Sequence, residues 1–378
     1  MKSTYKKLGQ YIREIDVRNT ENKDYSLLGV SVQKCYIPSI ANTIGTDFSK
    51  YKVVRKNQFT YIPDTSRRGD KIGIALLKDY EEGLVSNIYT VFEIKDISKL
   101  NPDYLMLWFS RPEFDRYARF KSHGSVRELF DWDEMCNVVL PVPSIEEQLE
   151  VVKASQAIEK RIELKKKIND NLEAQLTAVY HNLFDDPSNY SDGVVANLGE
   201  VVGGATPSTD NKEFFCNNGI VWLSPRDLTT TGLKFIYHGD TCITNAAFKS
   251  CSTKMMPAGT VLLTSRAPVG TVAIAMVELC TNQGFKSIVP QKNIGTAYVY
   301  YFLKENRQII ENHASGTTFM EISGNVLKGI PAKIPNLDVA KNFSNQCQPL
   351  FEYQRRNELE IAKLQEFRQI LVSSMSSH

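Results

Sequence analysis

The chain has little that would support chemistry of its own. Its five histidines are scattered, with no His-Glu-x-x-His pair and no triad-like spacing. It has no Gly-x-x-x-x-Gly-Lys-[Ser/Thr] loop to cradle nucleotide phosphates. The seven cysteines (Cys35, Cys136, Cys216, Cys242, Cys251, Cys280 and Cys347) are odd in number and never spaced Cys-x-x-Cys. That argues against a disulfide framework or a zinc knuckle and fits a reducing cytoplasm. No apolar stretch approaches the roughly 20 residues that cross a bilayer. The N-terminal lysines are followed by no apolar run, so neither a membrane span nor a secretory leader is expected. An excess of one charge is missing too: 45 Lys and Arg stand against 43 Asp and Glu, a net charge of +2. A grip on nucleic acid would therefore come from local patches or from a partner, because neutralising phosphates takes clustered cations.

What the chain does have is apolar content of 42 % over 378 residues, enough for two or three cores. It also repeats itself. Leu8-Gly9-Gln10-Tyr11-Ile12 echoes Leu198-Gly199-Glu200-Val201-Val202. Ser86-Asn87-Ile88-Tyr89 echoes Thr281-Asn282-Gln283-Gly284, and Tyr104-Leu105-Met106-Leu107-Trp108-Phe109 echoes Tyr298-Val299-Tyr300-Tyr301-Phe302-Leu303. His123-Gly124-Ser125 echoes Ser315-Gly316-Thr317, and Pro143 matches Pro335. A period of about 190 residues is far too long for a solenoid and means two copies of a whole domain with its appendage.

Each copy begins with short strand-like runs. In the first these are Phe59-Thr60-Tyr61-Ile62, Ile72-Gly73-Ile74-Ala75-Leu76-Leu77 and Tyr89-Thr90-Val91-Phe92-Glu93-Ile94. In the second they are Val261-Leu262-Leu263-Thr264 and Val272-Ala273-Ile274-Ala275-Met276. A helix is predicted from near Asn101-Pro102 and another from near Thr296. Each copy then ends in one long helix. Ser144 caps the first, which runs to Phe184 with Ile145, Leu149, Val152, Ile158, Ile162, Ile168, Leu172, Leu176, Val179 and Leu183 as its apolar stripe. The second starts near Leu337, with Val339, Phe343, Cys347, Leu350, Tyr353, Asn357, Ile361, Leu364 and Leu371. Forty helical residues make about 60 Å, longer than a domain of this size is wide. Mutual pairing is thus favoured over each helix capping its own domain. The expected fold is α+β: two similar domains of mixed or antiparallel β-structure with helices (1–143 and 185–335). They are separated by two long helices (144–184 and 336–378) that form an antiparallel coiled coil with pseudo-twofold symmetry. Two unlike heads on such a spacer suit an asymmetric, split DNA site.

The wording of the repeats carries a resemblance. Gly203-Gly204-Ala205-Thr206-Pro207-Ser208, Val221-Trp222-Leu223-Ser224-Pro225-Arg226-Asp227-Leu228 and Thr281-Asn282-Gln283-Gly284-Phe285 are similar to phrases of the specificity subunits of type I restriction–modification enzymes. So are Leu28-Gly29-Val30-Ser31 and Ala41-Asn42-Thr43-Ile44-Gly45 in the first copy, which lacks the Thr-Pro and Trp-Leu-Ser-Pro phrases. The resemblance covers essentially the whole chain. It implies two target-recognition domains on double-stranded DNA, flanked by two methylation subunits and two restriction/translocase subunits in the cytoplasm. It further implies that S-adenosylmethionine, ATP and Mg²⁺ belong to those partners, that the chain itself binds no cofactor or metal, and that it has no catalytic residue. The methylated adenine would leave the base stack for a pocket on the methylation subunit.

Base reading needs side chains with paired donors or acceptors on groove-reaching loops. In the first copy the candidates are Arg67, Arg68 and Lys71 in one turn, Asn87 and Tyr89 at the start of a strand, and Ser125 and Arg127 in a glycine-centred loop. Their counterparts in the second copy are Ser265 and Arg266, then Gln283 and Lys286, then Thr317 and Thr318, with Arg226 in addition. The competing reading is a self-contained enzyme. Asn101-Pro102-Asp103-Tyr104 resembles the Asn-Pro-Pro-Tyr motif of adenine methyltransferases but lacks its second proline, and it suits a helix start. Asp64, Glu93 and Lys95 fit a loose nuclease pattern, yet the alternation around Glu93 reads as a solvated strand face. A helical scaffold with two heads that bind something other than DNA is the third possibility.

Overall fold

The computed structural model describes residues 5–39, 45–66, 71–124, 128–316 and 320–375. It divides into two compact units, Met1–Ile162 with Lys363–His378, and Glu163–Ala362. The long helices run unbroken over Ile145–Phe184 and Leu337–Ser374. The units thus differ from the four segments drawn from the sequence, because each takes a length of both helices.

In the first unit four antiparallel strands lie in the order Ile12–Ile15, Thr90–Ile94, Phe59–Tyr61, Ile74–Leu76. In the second, Gly199–Gly203, Lys286–Pro290, Val261–Leu263 and Val272–Ala275 repeat that order, and Phe235–Ile236 adds a parallel edge. The terminal strands repeat as well. Tyr5–Lys7 pairs with Val139–Pro141, and Tyr190–Val194 with Pro331–Pro335. The helices expected after the strands are Pro102–Phe109 and Thr296–Glu305. The echoed tyrosines have one structural reason. The buried Tyr104 hydroxyl donates to the Pro141 carbonyl (3.2 Å), and the buried Tyr298 hydroxyl donates to that of Lys333 (2.5 Å). Each ties the helix that follows the main sheet to the last strand of its unit. The second unit also carries a smaller sheet ordered Phe215–Cys216, Thr241–Ile243, Ile220–Leu223, Cys280–Thr281, with no four-stranded counterpart among the described residues of the first unit.

Apolar burial closes each unit on its own helix segments. In the first, Phe59 stacks on Phe92 (centroids 4.9 Å apart) within a core completed by Val152 of the long helix and by Val372 and Met375 at the chain's end. In the second, Leu176, Tyr180 and Phe184 pack with Tyr298, Tyr301, Phe343 and Cys347. The helices are antiparallel partners in each. Glu159 pairs with Arg368 in the first unit. In the second, Lys165 meets Glu360 (2.7 Å), and Asn357 Nδ2 donates to Asn169 Oδ1 (2.8 Å). Gln354 Nε2 donates to Glu173 (3.1 Å). The apolar stripe read from the sequence needs correcting. Leu149 and Tyr353 are exposed, whereas Gln148, Ser155 and Gln354, outside the stripe, are buried, as is Asn357 within it.

Candidate nucleic-acid interface

Local geometry builds the second unit's site from three chain segments. Gly204 lies so close to the Thr281 and Asn282 carbonyls that a Cβ there would overlap both. The Ala205 N–H donates to the Thr281 carbonyl (3.0 Å), and the Trp222 indole N–H donates back to the Ala205 carbonyl (3.1 Å). The Asn282 N–H donates to the Leu223 carbonyl (2.8 Å), and Gly284 fits against the Pro225 ring. The Thr206 hydroxyl donates to Gln283 Oε1. The three phrases quoted above from the second copy therefore converge on one patch. Pro225 starts a short helix whose cap, Ser224, is held by Asp227 (2.7 Å), and Arg226 stands exposed in its first turn.

Ser265 ties in the remaining loops. Its N–H donates to the Gly284 carbonyl (2.7 Å), and its carbonyl accepts from the Ile322 N–H (3.0 Å). Next to it, Arg266 Nε donates to Glu321 Oε2 (2.9 Å), and Lys286 Nζ lies 3.6 Å from the other Glu321 oxygen. Glu321 is itself fixed by two backbone hydrogen bonds with Ser315, at the neck of the Gly316 loop. Arg226, Arg266, Gln283 and Lys286 are thus carried by one set of connected loops. Ser265 is a correction: its side chain is completely buried and offers no surface to a ligand. It acts as a bracket rather than a contact. Glu321 was missed because a search for cations and amides passes over an acid. Its signal was its position just past the Ser-Gly loop that recurs in both copies.

The first unit repeats the bracket. The Phe130 N–H donates to the Pro63 carbonyl (2.9 Å) and the Thr65 N–H to that of Glu128 (3.0 Å). Asp64 bridges Leu129, and His123 bridges Leu129 in turn. The same two loops are thus joined in the same way. Lys71 is exposed, just before Ile72, whose N–H donates to Asp115 (3.1 Å), the buried partner of Lys34 (2.5 Å). Asn87 is exposed in a tight turn closed by the Tyr89 N–H to the Ser86 carbonyl (3.1 Å), and the strand starts only at Thr90. Tyr89 is half-buried against the small cluster of Val30, Ile62 and Ala75, so part of its ring serves packing. Arg67, Arg68, Ser125, Arg127, Thr317 and Thr318 lie outside the described residues, as do Ala41 to Ile44 of the quoted motif.

The enzyme-like motifs have ordinary structural roles here. Asn101 Oδ1 accepts from the Asp103 and Tyr104 N–H groups (2.9 and 3.1 Å), a helix cap with Pro102 at the first turn. Glu93 takes Arg13 Nε (2.8 Å) on one oxygen and Gln58 Nε2 (2.8 Å) on the other. Among the described residues, no helix is long and apolar enough to cross a membrane.

The type I restriction modification DNA specificity domain matches this chain twice, over residues 8–174 and 187–361. The chain belongs to that family. It is similar to the MjaIX specificity subunit of Methanocaldococcus jannaschii, 40 % identical over 152 residues, which is 40 % of this chain and 35 % of that one. The EcoR124I/EcoR124II specificity subunit of Escherichia coli is 29 % identical over 185 residues, 44 % and 45 % of the respective chains. The aligned part thus spans less than half the length of either relative. The type I S subunit structure from M. genitalium shares the fold, with a TM-score of 0.60 at 11 % identity over 99 % of this chain and 96 % of that one.

Gly204 gives the sharpest stability test of this patch. Gly204→Ala must push the 203–207 segment off backbone carbonyls that cannot yield. The expected cost is at least about 1–3 kcal/mol, the usual penalty of overpacking. Urea unfolding would show it as a lower midpoint with an unchanged slope.

Proposed function

We propose that this chain is the non-catalytic DNA-reading subunit of a type I restriction–modification complex, each unit reading one half of an asymmetric, bipartite site. One observation carries this reading. Both units have the same strand order and the same loop bracket, yet the bracket holds Asp64 and Leu129 in one and Arg266 and Glu321 in the other. A shared scaffold with different side chains at its exposed rim is what two heads for two different sequences require. Two methylation subunits would methylate adenine N6, and two restriction/translocase subunits would supply ATP-dependent cleavage. S-adenosylmethionine, ATP and Mg²⁺ belong on those partners, and this chain holds the DNA in register.

The test is a methylome. Cells carrying this chain with its neighbouring methylation subunit are expected to show one split methyladenine motif with an unread gap. Transfer of methyl groups to DNA by the purified chain alone would overturn the proposal.

A further inference from the structure

Building on that DNA-reading role, we propose that Arg266 reads a guanine in the half-site of the second unit and that Glu321 is the residue that positions it. The guanidinium has five donors in a planar fork. Glu321 occupies Nε, and the two terminal amino groups have no intramolecular partner among the described residues. Arg266 is 44 % exposed, so its side chain reaches solvent. Two parallel N–H donors match the O6 and N7 acceptors that guanine presents in the major groove.

Arg266 is also held still. The backbone before it is locked by the two Ser265 hydrogen bonds, and Arg266 itself forms a β-bridge with Glu321. Glu321 is pinned in turn by Ser315. A fork fixed in this way loses little side-chain entropy when it binds, and it tolerates little displacement of its target.

Charge separates base reading from phosphate binding. Glu321 lies between Arg266 and Lys286, at 2.9 and 3.6 Å. A phosphate approaching Arg266 would meet that carboxylate, whereas the guanine edge is neutral and would not. The anion therefore selects against the sequence-independent contact. In the first unit the corresponding bridge pairs Asp64 with Leu129. Asp64 Oδ1 accepts from the Ser66 N–H and hydroxyl (3.0 and 2.6 Å), so an acidic acceptor stands where the second unit places its guanidinium. The two half-sites should differ there.

The experiment is selection from randomised duplexes by the full chain assembled with its methylation subunits. Wild type should choose guanine at one position of one half-site. Arg266→Ala should lose that preference by roughly tenfold to a hundredfold while the other positions stay as they were. Arg266→Lys keeps the charge without the fork and should lose most of the same preference. Glu321→Gln should act in the opposite sense on non-sequence binding, raising it severalfold while loosening the guanine choice. Replacing that guanine by 7-deazaguanine, which lacks the N7 acceptor, should weaken wild type and leave Arg266→Ala unaffected. Uniform weakening on all sequences by Arg266→Ala, or a motif unchanged at every position, overturns the assignment. A wild-type assembly that selects no sequence overturns instead the DNA-reading role on which it rests.

Discussion

Replacing residues 1–143 with the first domain of another specificity subunit of this family will rewrite one half of the recognised sequence and leave the other half unchanged. The graft point is favourable for physical reasons. Ser144 and Glu147 cap the long helix reciprocally, Glu147 N–H to Ser144 Oγ (3.3 Å) and Ser144 N–H to Glu147 Oε2 (3.0 Å), so the helix start needs nothing from the domain before it. Gln148, fully buried, then reaches into the domain, but the hydrogen bonds of its side chain go to backbone groups. Its Oε1 accepts from the Asn101 N–H (2.8 Å), and its Nε2 donates to the Lys99 and Pro143 carbonyls (2.9 Å each). A foreign domain that keeps the same turns can engage it whatever its side chains. The fitted part of the junction is apolar: Val152, Val372 and Met375 enter the first unit's core, so the donor must present a cavity of matching volume there.

The expected size is large. Mismatched base pairs cost about 1–3 kcal/mol each and add when well separated, so several of them weaken the old half-site by roughly a thousandfold or more. Duplexes with one half-site altered at a time, titrated against the chimera and its parent, measure this directly. Loss of both halves in a chimera that unfolds at the parental urea midpoint would contradict independent heads.

Much of this architecture was legible in the sequence, for a reason that also marks the limit. Strands such as Phe59–Tyr61 and Val261–Leu263, and the helix Ile145–Phe184, are written in local periodicity, which needs no knowledge of what lies across the core. The duplication multiplied each weak signal by two. Spacing alone misjudged some helix faces, because each helix packs on its domain as well as on its mate. Leu149 and Tyr353 turn outward, while Gln148, bonded to Lys99, Asn101 and Pro143, and Gln354, bonded to Glu173, turn in. The site was half legible. Arg266, Gln283 and Lys286 stood out as donors, but Ser265 reads as a contact when it is a buried bracket, and Glu321 is marked only by its place just past the recurring Ser-Gly loop. Their roles arise from contacts about 20 to 60 residues away in sequence, which no local period encodes.

Glu173→Ala is expected to be the most damaging single substitution in the second unit. The Glu173 carboxylate accepts from Lys234 Nζ (2.6 Å), Lys304 Nζ (2.7 Å), the Tyr301 hydroxyl (3.0 Å) and Gln354 Nε2 (3.1 Å). Lys234 is almost completely buried, with its ammonium 4.0 Å from the centre of the Phe351 ring and 4.5 Å from that of Tyr300. Its N–H and that of Phe235 both donate to Glu358 (3.1 and 3.2 Å). Burial works against the charge on Glu173, but Lys234 and Lys304 outweigh it and hold the carboxyl at about 2. Burial dominates at Lys234 and lowers it to about 8, although Glu173 opposes this. At neutral pH both are therefore charged. Removing Glu173 leaves the Lys234 ammonium facing a low-dielectric pocket, and a buried pair broken in this way costs about 3–5 kcal/mol. Removing both charges is a different matter. Glu173→Met with Lys234→Met should cost less than either change alone, because the buried ammonium leaves with its carboxylate and only the partly exposed Lys304 loses a partner.

The pH dependence provides an independent check. Glu173 titrates lower in the folded chain than in the unfolded one. Its contribution is thus complete above about pH 4.5 and disappears as the pH falls towards 2, on the order of 3 kcal/mol in all. Lys234 has the opposite sense: the unfolded chain keeps its proton up to higher pH, so its contribution to stability rises as the pH climbs above about 8. Hydrogen exchange resolved by segment separates the two units where a single melting curve would not. Protection of 261–263 and 286–290 should decline on acidification in wild type and decline less in Glu173→Ala, which has already lost that term. An acid response of equal size in both chains would show that the ion pair does not set the stability of this unit.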